Sequence, residues 1–292
     1  MPVRRGRAQP RVRSVSVPAG LELVFSDDFD GPLDIEDGDV AGTGAKWADK
    51  FIEFNGRHLP GNDDECIKGR GEYRGSGGSS FEELGLFPFN QAGSILLINS
   101  FEIPAANRPQ FFNFPQGGGM LSSERSFRQE YGFWEIRAAF PALTPGMHQS
   151  IWLFSGLSEQ ARELDLIEVV GSNLSDPNGP VLVRTHNSIN FQTGSDHGDQ
   201  FPITILPVTH QDLLEWHRYG IEVTPTVINW FVDDALVRTV PQFNAPGSVN
   251  WYILVTPETG ASENADFPGP VNASTVFPGV IALDYVRVYG AA

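Results

Sequence analysis

Eight consecutive residues constrain this chain more than any other stretch: Glu163-Leu164-Asp165-Leu166-Ile167-Glu168-Val169-Val170. Three acids are set among β-favouring apolar side chains. On a helix, Glu163 and Asp165 would point about 200° apart and share no face. On a strand, side chains alternate, so Glu163 and Asp165 fall on one face and Glu168 on the other. One extra residue, a bulge at Leu166-Ile167, returns Glu168 to the side of its partners. The spacing predicts a bulged strand with three carboxyl groups on one face.

Such a strand has a chemical consequence. Four strand steps of about 3.3 Å put the two glutamate Cα atoms roughly 13 Å apart. Side chains leaning inward then leave about 5 Å between the carboxyls, the separation at which one attacks and the other protonates a leaving oxygen in a retaining glycosidase. Close carboxyls do not all ionise cheaply, so at least one pKa should rise. Asp165, between the glutamates, can share a proton and help keep an acid protonated near neutral pH. On spacing alone two other readings stay open. The acids can blunt an edge strand against aggregation, or they can begin a calcium cage.

The rest of the chain agrees with a β-rich fold. Strand patterns recur at Leu21 to Phe29, Ile95 to Ile98, Gly132 to Phe140, Ser150 to Phe154, Ile221 to Thr224, Val227 to Val232, Leu236 to Val240, Trp251 to Val255 and Ile281 to Tyr289. Pro225-Thr226 and Asp233-Asp234-Ala235 supply turns between them. A short helix is expected only near Gln211 to Glu215. With Gly 31 and Pro 22 as punctuation, these short strands predict an all-β jelly-roll sandwich of two curved antiparallel sheets. Residues 1–17 read as a flexible basic arm and 18–292 as one domain.

Charge and cysteine content exclude several roles. The net charge is −16, and residues 1–13 hold five arginines and no acid, so the remainder carries −21. A body that acidic repels nucleic acid and anionic lipid. Cys66 is the only cysteine, which rules out an intramolecular disulfide and a cysteine zinc site. Cys66 reads as a small core residue, and the loop Gly69 to Ser80 lacks the Gly-Lys-Ser/Thr ending of a phosphate loop. No stretch approaches the roughly 20 apolar residues of a membrane span, and Met1-Pro2-Val3-Arg4-Arg5 is not followed by a signal-peptide core. A serine hydrolase is disfavoured because no Gly-x-Ser-x-Gly elbow is present.

At the acid strand the chain resembles family 16 of the glycoside hydrolases, the laminarinase, lichenase and agarase-like group, in its bulged Glu-x-Asp-x-x-Glu form. The resemblance runs from about residue 21 to 289. Tyr131-Gly132-Phe133-Trp134-Glu135-Ile136-Arg137 looks like the family's Tyr-Gly-x-x-Glu-x-Arg strand. Ile151-Trp152-Leu153-Phe154 is similar to its Phe-Trp-Leu-Leu segment. Trp216 to Asp233 and Asp284 to Tyr289 match its meander and closing strand. The resemblance implies Glu163 as nucleophile, Asp165 as assisting acid and Glu168 as general acid/base. It also implies a concave cleft suited to cutting inside a polymer chain.

Further expectations follow from that resemblance. Trp152 and Trp134 are candidates to stack on sugar rings. His148 and His186 are candidates to bond hydroxyls or a carboxylate, and Asn62 and Glu65 to line the glycone side. No cofactor is required, and a non-catalytic structural calcium would use Asp284. The partner is a polysaccharide, the chain a monomer, and the location extracellular. Gly146-Met147-His148-Gln149-Ser150-Ile151-Trp152 departs from the β-glucanase pattern Gly-x-Trp-Pro-Ala-x-Trp, and its Gln-Ser run is closer to galactan-cutting members. A β-1,3 or mixed-linkage glucan or a bacterial exopolysaccharide is the first expectation for the substrate. A galactan of the agar, porphyran or carrageenan type is the second. A non-catalytic carbohydrate-binding protein and a transglycosylase are the competing functional classes.

Overall fold

The computed structural model describes residues 17–36, 44–49, 66–68, 80–155, 162–171, 182–189, 204–205, 213–242, 247, 249–260 and 269–291. In chain order its first strands are β1 (Leu21–Asp27), β2 (Ile35–Glu36), β3 (Trp47–Ala48), β4 (Cys66–Lys68), β5 (Phe89–Ala92) and β6 (Ile95–Glu102). Then come β7 (Gln116–Gly118), β8 (Leu121–Ser122), β9 (Gly132–Ala142), β10 (Met147–Phe154), β11 (Arg162–Val170) and β12 (Leu182–Ile189). The last are β13 (Thr204–Ile205), β14 (His217–Val223), β15 (Val227–Val232), β16 (Ala235–Pro241), β17 (Tyr252–Thr259) and β18 (Gly279–Ala291). Of the expected helix near Gln211 to Glu215, Leu213 to Glu215 are described and show helix at Leu213 followed by a turn, and the loop Gly69 to Ser80 lies largely outside the described residues.

Two sheets stack face to face, in the jelly-roll sandwich that the strand pattern predicts. The larger runs β16-β15-β14-β9-β18-β6-β7-β4, with β1 on β18 and β5 on β6. The smaller runs β13-β12-β11-β10-β17-β8-β3-β2. Pairings are antiparallel except β2 with β3 and β4 with β7.

Alternation builds the core between the sheets. Trp134, Ile136, Ala138 and Phe140 of β9 meet Ile151 and Leu153 of β10, Leu164 and Val169 of β11, and Ile253 and Val255 of β17. Burying each large aliphatic side chain contributes about 1.5–3 kcal/mol. The residues between them point outward, away from the opposite sheet. That period of two aims His148, Ser150 and Trp152 of β10 and Thr256 and Glu258 of β17 to one outer face.

Close approaches fix the ends of the strands that carry this face. Gly146, at φ +82°, leads into β10 where a Cβ would meet the Val271 backbone at 2.7 Å. Gly171 follows β11 where a Cβ would overlap the Thr144 carbonyl oxygen. Elsewhere a side chain substitutes for glycine. Asp233 and Asp234 both take positive φ, 47° and 74°, the conformation of a type I′ hairpin turn. Asp233 accepts from the Arg218 backbone N–H at 3.0 Å, and Asp234 pairs with the Arg218 guanidinium at 2.6 Å. These local bonds let two aspartates hold a turn expected to favour Asp-Gly.

Candidate active site

The bulge in β11 is the structural centre of the candidate site. Against β12, Asp165 faces His186 and Glu168 faces Arg184, so two residues fit where the partner offers one. Against β10, Ile151 pairs with Ile167 while Trp152 pairs with Asp165, skipping Leu166. Leu166 and Ile167 are both buried in the core. Two adjacent apolar residues therefore point inward, and Asp165 and Glu168 emerge on the same outer face.

A second element holds the bulge. Trp230 of β15, in the opposite sheet, donates its indole N–H to the Asp165 carbonyl oxygen at 2.8 Å. Bulges interrupt ladder hydrogen bonding, and a buried carbonyl without a donor costs about 1–3 kcal/mol. The indole reaches across the core to satisfy this one.

Neighbouring strands add groups to the face. His148 Nε2 lies 3.1 Å from Glu168 Oε1, with Ser150 Oγ 3.0 Å from the same nitrogen. His148 Nδ1 lies 3.1 Å from Glu258 Oε2, on β17. Burial opposes charge on this imidazole, but the bonds from Glu168 and then Glu258 outweigh it and raise its pKa from 6.5 to about 10. Asp165, Glu168 and His148 are buried at 2%, 5% and 7% exposure, whereas Glu163 is half-buried. Such deep carboxyls are kept from bulk water, which strengthens their mutual interactions.

An apolar patch continues the face. Trp152, Phe154, Tyr252, Leu254 and Met120 form one cluster. The Trp152 indole N–H donates to Thr256 Oγ1 at 3.1 Å, which fixes the ring plane. Phe154 crosses Tyr252 edge-on at 5.8 Å, and the Arg128 guanidinium lies 4.6 Å over the Tyr252 ring.

The sequence-predicted residues separate clearly against this geometry. Glu163, Asp165, Glu168, Trp152 and His148 are on β11 and β10. His186 stands opposite Asp165 in register on β12, and its side chain lies outside the described residues. Asn62 and Glu65 also lie outside them. Trp134 is corrected: β9 belongs to the other sheet, between β14 and β18, and Trp134 points into the core at 0% exposure. A tryptophan within a strand pattern does not show in sequence which sheet its strand joins. Asp284 does not fit a calcium cage through its side chain. Its Oδ2 meets Arg137 Nη1 at 2.6 Å, and that guanidinium supplies the positive charge a cation would bring.

Glu258 is the site residue that sequence reading missed. Its signal was faint: Tyr252, Leu254, Thr256 and Glu258 share one face of β17 by simple alternation. Its place beside His148 follows only from the pairing of β17 with β10, residue 148 against 258.

Comparison with known proteins agrees with this geometry. Residues 93–259 match the family model of Glycosyl hydrolases family 16. An endo-1,3-1,4-beta-glycanase, EglC, of Rhizobium meliloti is 27% identical over 273 residues, covering 92% of this chain and 52% of its own length. A kappa-carrageenase of Pseudoalteromonas carrageenovora is 24% identical over 205 residues, covering 63% and 49%. The chain thus spans about half the length of the curated relatives it matches. The crystal structure of SCLam, a non-specific endo-beta-1,3(4)-glucanase, superposes with a TM-score of 0.68 at 18% identity, covering 95% of this chain and 94% of that one. At that identity the likeness concerns the fold.

Proposed function

The chain belongs to family 16 of the glycosyl hydrolases, and from that premise we propose that it cleaves internal β-linkages of a polysaccharide by double displacement. The observation that carries this reading is the register shift in β11, which brings Glu168 out on the face of Asp165. Without the shift Glu168 would fall on the face opposite Glu163 and Asp165, and the two glutamates could not flank one bond.

In this mechanism the Glu163 carboxylate attacks the anomeric carbon while Glu168 gives its proton to the departing glycosidic oxygen. The C–O bond to the leaving chain breaks and a glycosyl ester of Glu163 forms. Glu168, now a carboxylate, takes a proton from water, whose oxygen attacks the same carbon and releases Glu163. Asp165, two residues from the nucleophile on its face, orients it. Trp152 offers an aromatic face to a sugar ring beside the cleavage point. A polymer substrate places this chemistry outside the cell.

A β-1,3 or mixed-linkage glucan, or a bacterial exopolysaccharide, is the substrate class supported by the likeness to the Rhizobium glycanase. A galactan is the second reading, favoured by the likeness to the carrageenase and by Gln149-Ser150 in place of the β-glucanase Pro-Ala. The test is oligosaccharide release from laminarin, lichenan, agarose, porphyran, carrageenan and an acidic bacterial exopolysaccharide, with Glu163→Ala as blank. Release from one polymer by the unaltered chain alone supports the proposal and names the class. Retention on a polymer without cleavage would overturn it in favour of a binding protein, and lengthened products would point to transglycosylation.

A further inference from the structure

Glu258, His148 and Glu168 lie in a row across three adjacent strands, β17, β10 and β11. His148 is the cross-strand partner of Glu258, and Ser150, two residues on and facing the same side, is the partner of Glu168. The imidazole therefore bridges two carboxylates, 3.1 Å from each. All three residues are buried, at 9%, 7% and 5% exposure. We propose that Glu258 and His148 are positioning residues for the acid/base: Glu258 balances the imidazolium, whose Nε2–H holds Glu168 Oε1, leaving Oε2 to carry the transferable proton. The inference rests on Glu168 being the acid/base.

The charge arrangement gives each group a separate task. An imidazolium 3.1 Å from Glu168 would by itself favour the ionised carboxylate, because an opposite charge at such a distance lowers a carboxyl pKa by about 1–3 units. That would leave the first chemical step without a proton to give. Glu258, on the far side of the ring, makes the His148–Glu258 pair neutral overall, so the ring can orient Glu168 without stripping it of acidity. The high proton affinity of His148, raised against its burial by both glutamates, fits the same arrangement. Ser150 of β10 and Asp165 and the more distant Glu163 of β11 share this face, and Arg184 and His186 are the register partners of Glu168 and Asp165 on β12. Neither Glu258 nor His148 reaches the reacting carbon in this scheme, and both act through Glu168.

Two measurements test this. Ring-¹⁵N NMR of the full chain, with His148→Gln to assign the signal, needs no substrate. The His148 ring is expected to stay doubly protonated through pH 8 and to titrate at lower pH in both Glu258→Gln and Glu168→Gln. A His148 that titrates near its ordinary pKa in the unaltered chain overturns the proposal. The second measurement is kcat/KM against pH on the polymer that the panel identifies. His148→Gln removes the cation, so the alkaline limb, set by Glu168 as acid, moves up by about one unit or more. Glu258→Gln leaves the cation unbalanced, so the limb moves down. An unmoved limb in either variant, or shifts of the same sign, overturns the proposal. If the single variants do not fold, the double variant His148→Gln/Glu258→Gln removes a neutral pair, and its limb is expected to stay within about half a unit of the unaltered chain's; a rise of about one unit or more overturns the balance assigned to Glu258. Absence of cleavage on every polymer would sink the hydrolase reading, and the NMR titration would still decide the clamp.

Discussion

β9 and β11 occupy central places in opposite sheets, and both send apolar residues to the core and polar residues outward. Their outer faces differ in how charge is settled. On β9, Glu135 is fully buried and accepts from the Tyr285 hydroxyl at 2.7 Å. Arg137 pairs with Asp284 at 2.6 Å, and the Arg287 guanidinium stacks 4.0 Å over Tyr285 and bonds Asp28. Donors and acids alternate there, and the face is a balanced lattice. On β11 and its neighbours stand Glu163, Asp165, Glu168 and Glu258, and His148 lies 3.1 Å from the last two. Buried like charges raise the cost of ionisation, and here one imidazole is set between two of the carboxyls. Alternation alone does not separate a structural face from a reactive one; the balance of charge does.

The comparison breaks most sharply at the nucleophile. Glu163→Ala should lower polymer cleavage by roughly 10⁴-fold or more while leaving Tm nearly unchanged, because Glu163 is half-buried. An unaltered rate would remove the catalytic distinction between the two faces.

Next in size is the support of the bulge. Trp230→Phe removes the donor to Asp165 and shrinks a buried ring, and should destabilise by at least about 1–3 kcal/mol, with a cavity cost added. It should also depress kcat, since the carboxyls lose their common aim. A loss of stability with kcat intact would show that the bulge holds itself.

Tyr285→Phe makes the matching change on the balanced face. It leaves Glu135 without this donor, again at about 1–3 kcal/mol, and should not move the pH profile of cleavage. Thermal melts and a pH–rate curve on the same variant read both outcomes.

His148 links the reactive face to stability through pH. Its folded pKa, about 10, lies above the ordinary 6.5. Its stabilisation is therefore complete below about pH 6.5 and is lost as pH rises toward 10. Tm should fall across that window by at least about 2–4 °C, the equivalent of roughly 1 kcal/mol for a domain of this size, and His148→Gln should flatten the slope. The smallest effect is at the hairpin turn. Burial would raise the Asp233 pKa, but bonds from His217 and the Arg218 N–H lower it overall. Its contribution is present above the unfolded carboxyl pKa and disappears as pH falls through the lower folded value. Because the group is half-exposed, Asp233→Asn should cost under about 1 kcal/mol at pH 7, fading to nothing in acid melts.

Much of this was legible in the sequence because strand alternation is local. The β11 pattern, the need for a bulge at Leu166-Ile167, and the strands of the β14 to β16 meander all follow from residue order and the geometry of a pleated chain. Pairing between strands is not local. Trp134 and Trp152 each sit inside a strand pattern, but sheet order sends the first into the core and the second to the face of Asp165. Glu258 is ninety residues from Glu168, and only the placement of β10 between β11 and β17 sets His148 between them. Likewise the donor for the bulge arrives from Trp230 in the opposite sheet, and Arg137 takes up the carboxylate of Asp284 that a calcium ion was expected to hold. The sequence by itself determined which residues share a face along one strand, since the period of two is a property of the backbone. The tertiary structure decided which faces meet and how their charges balance, because those contacts depend on register and sheet order across distant parts of the chain.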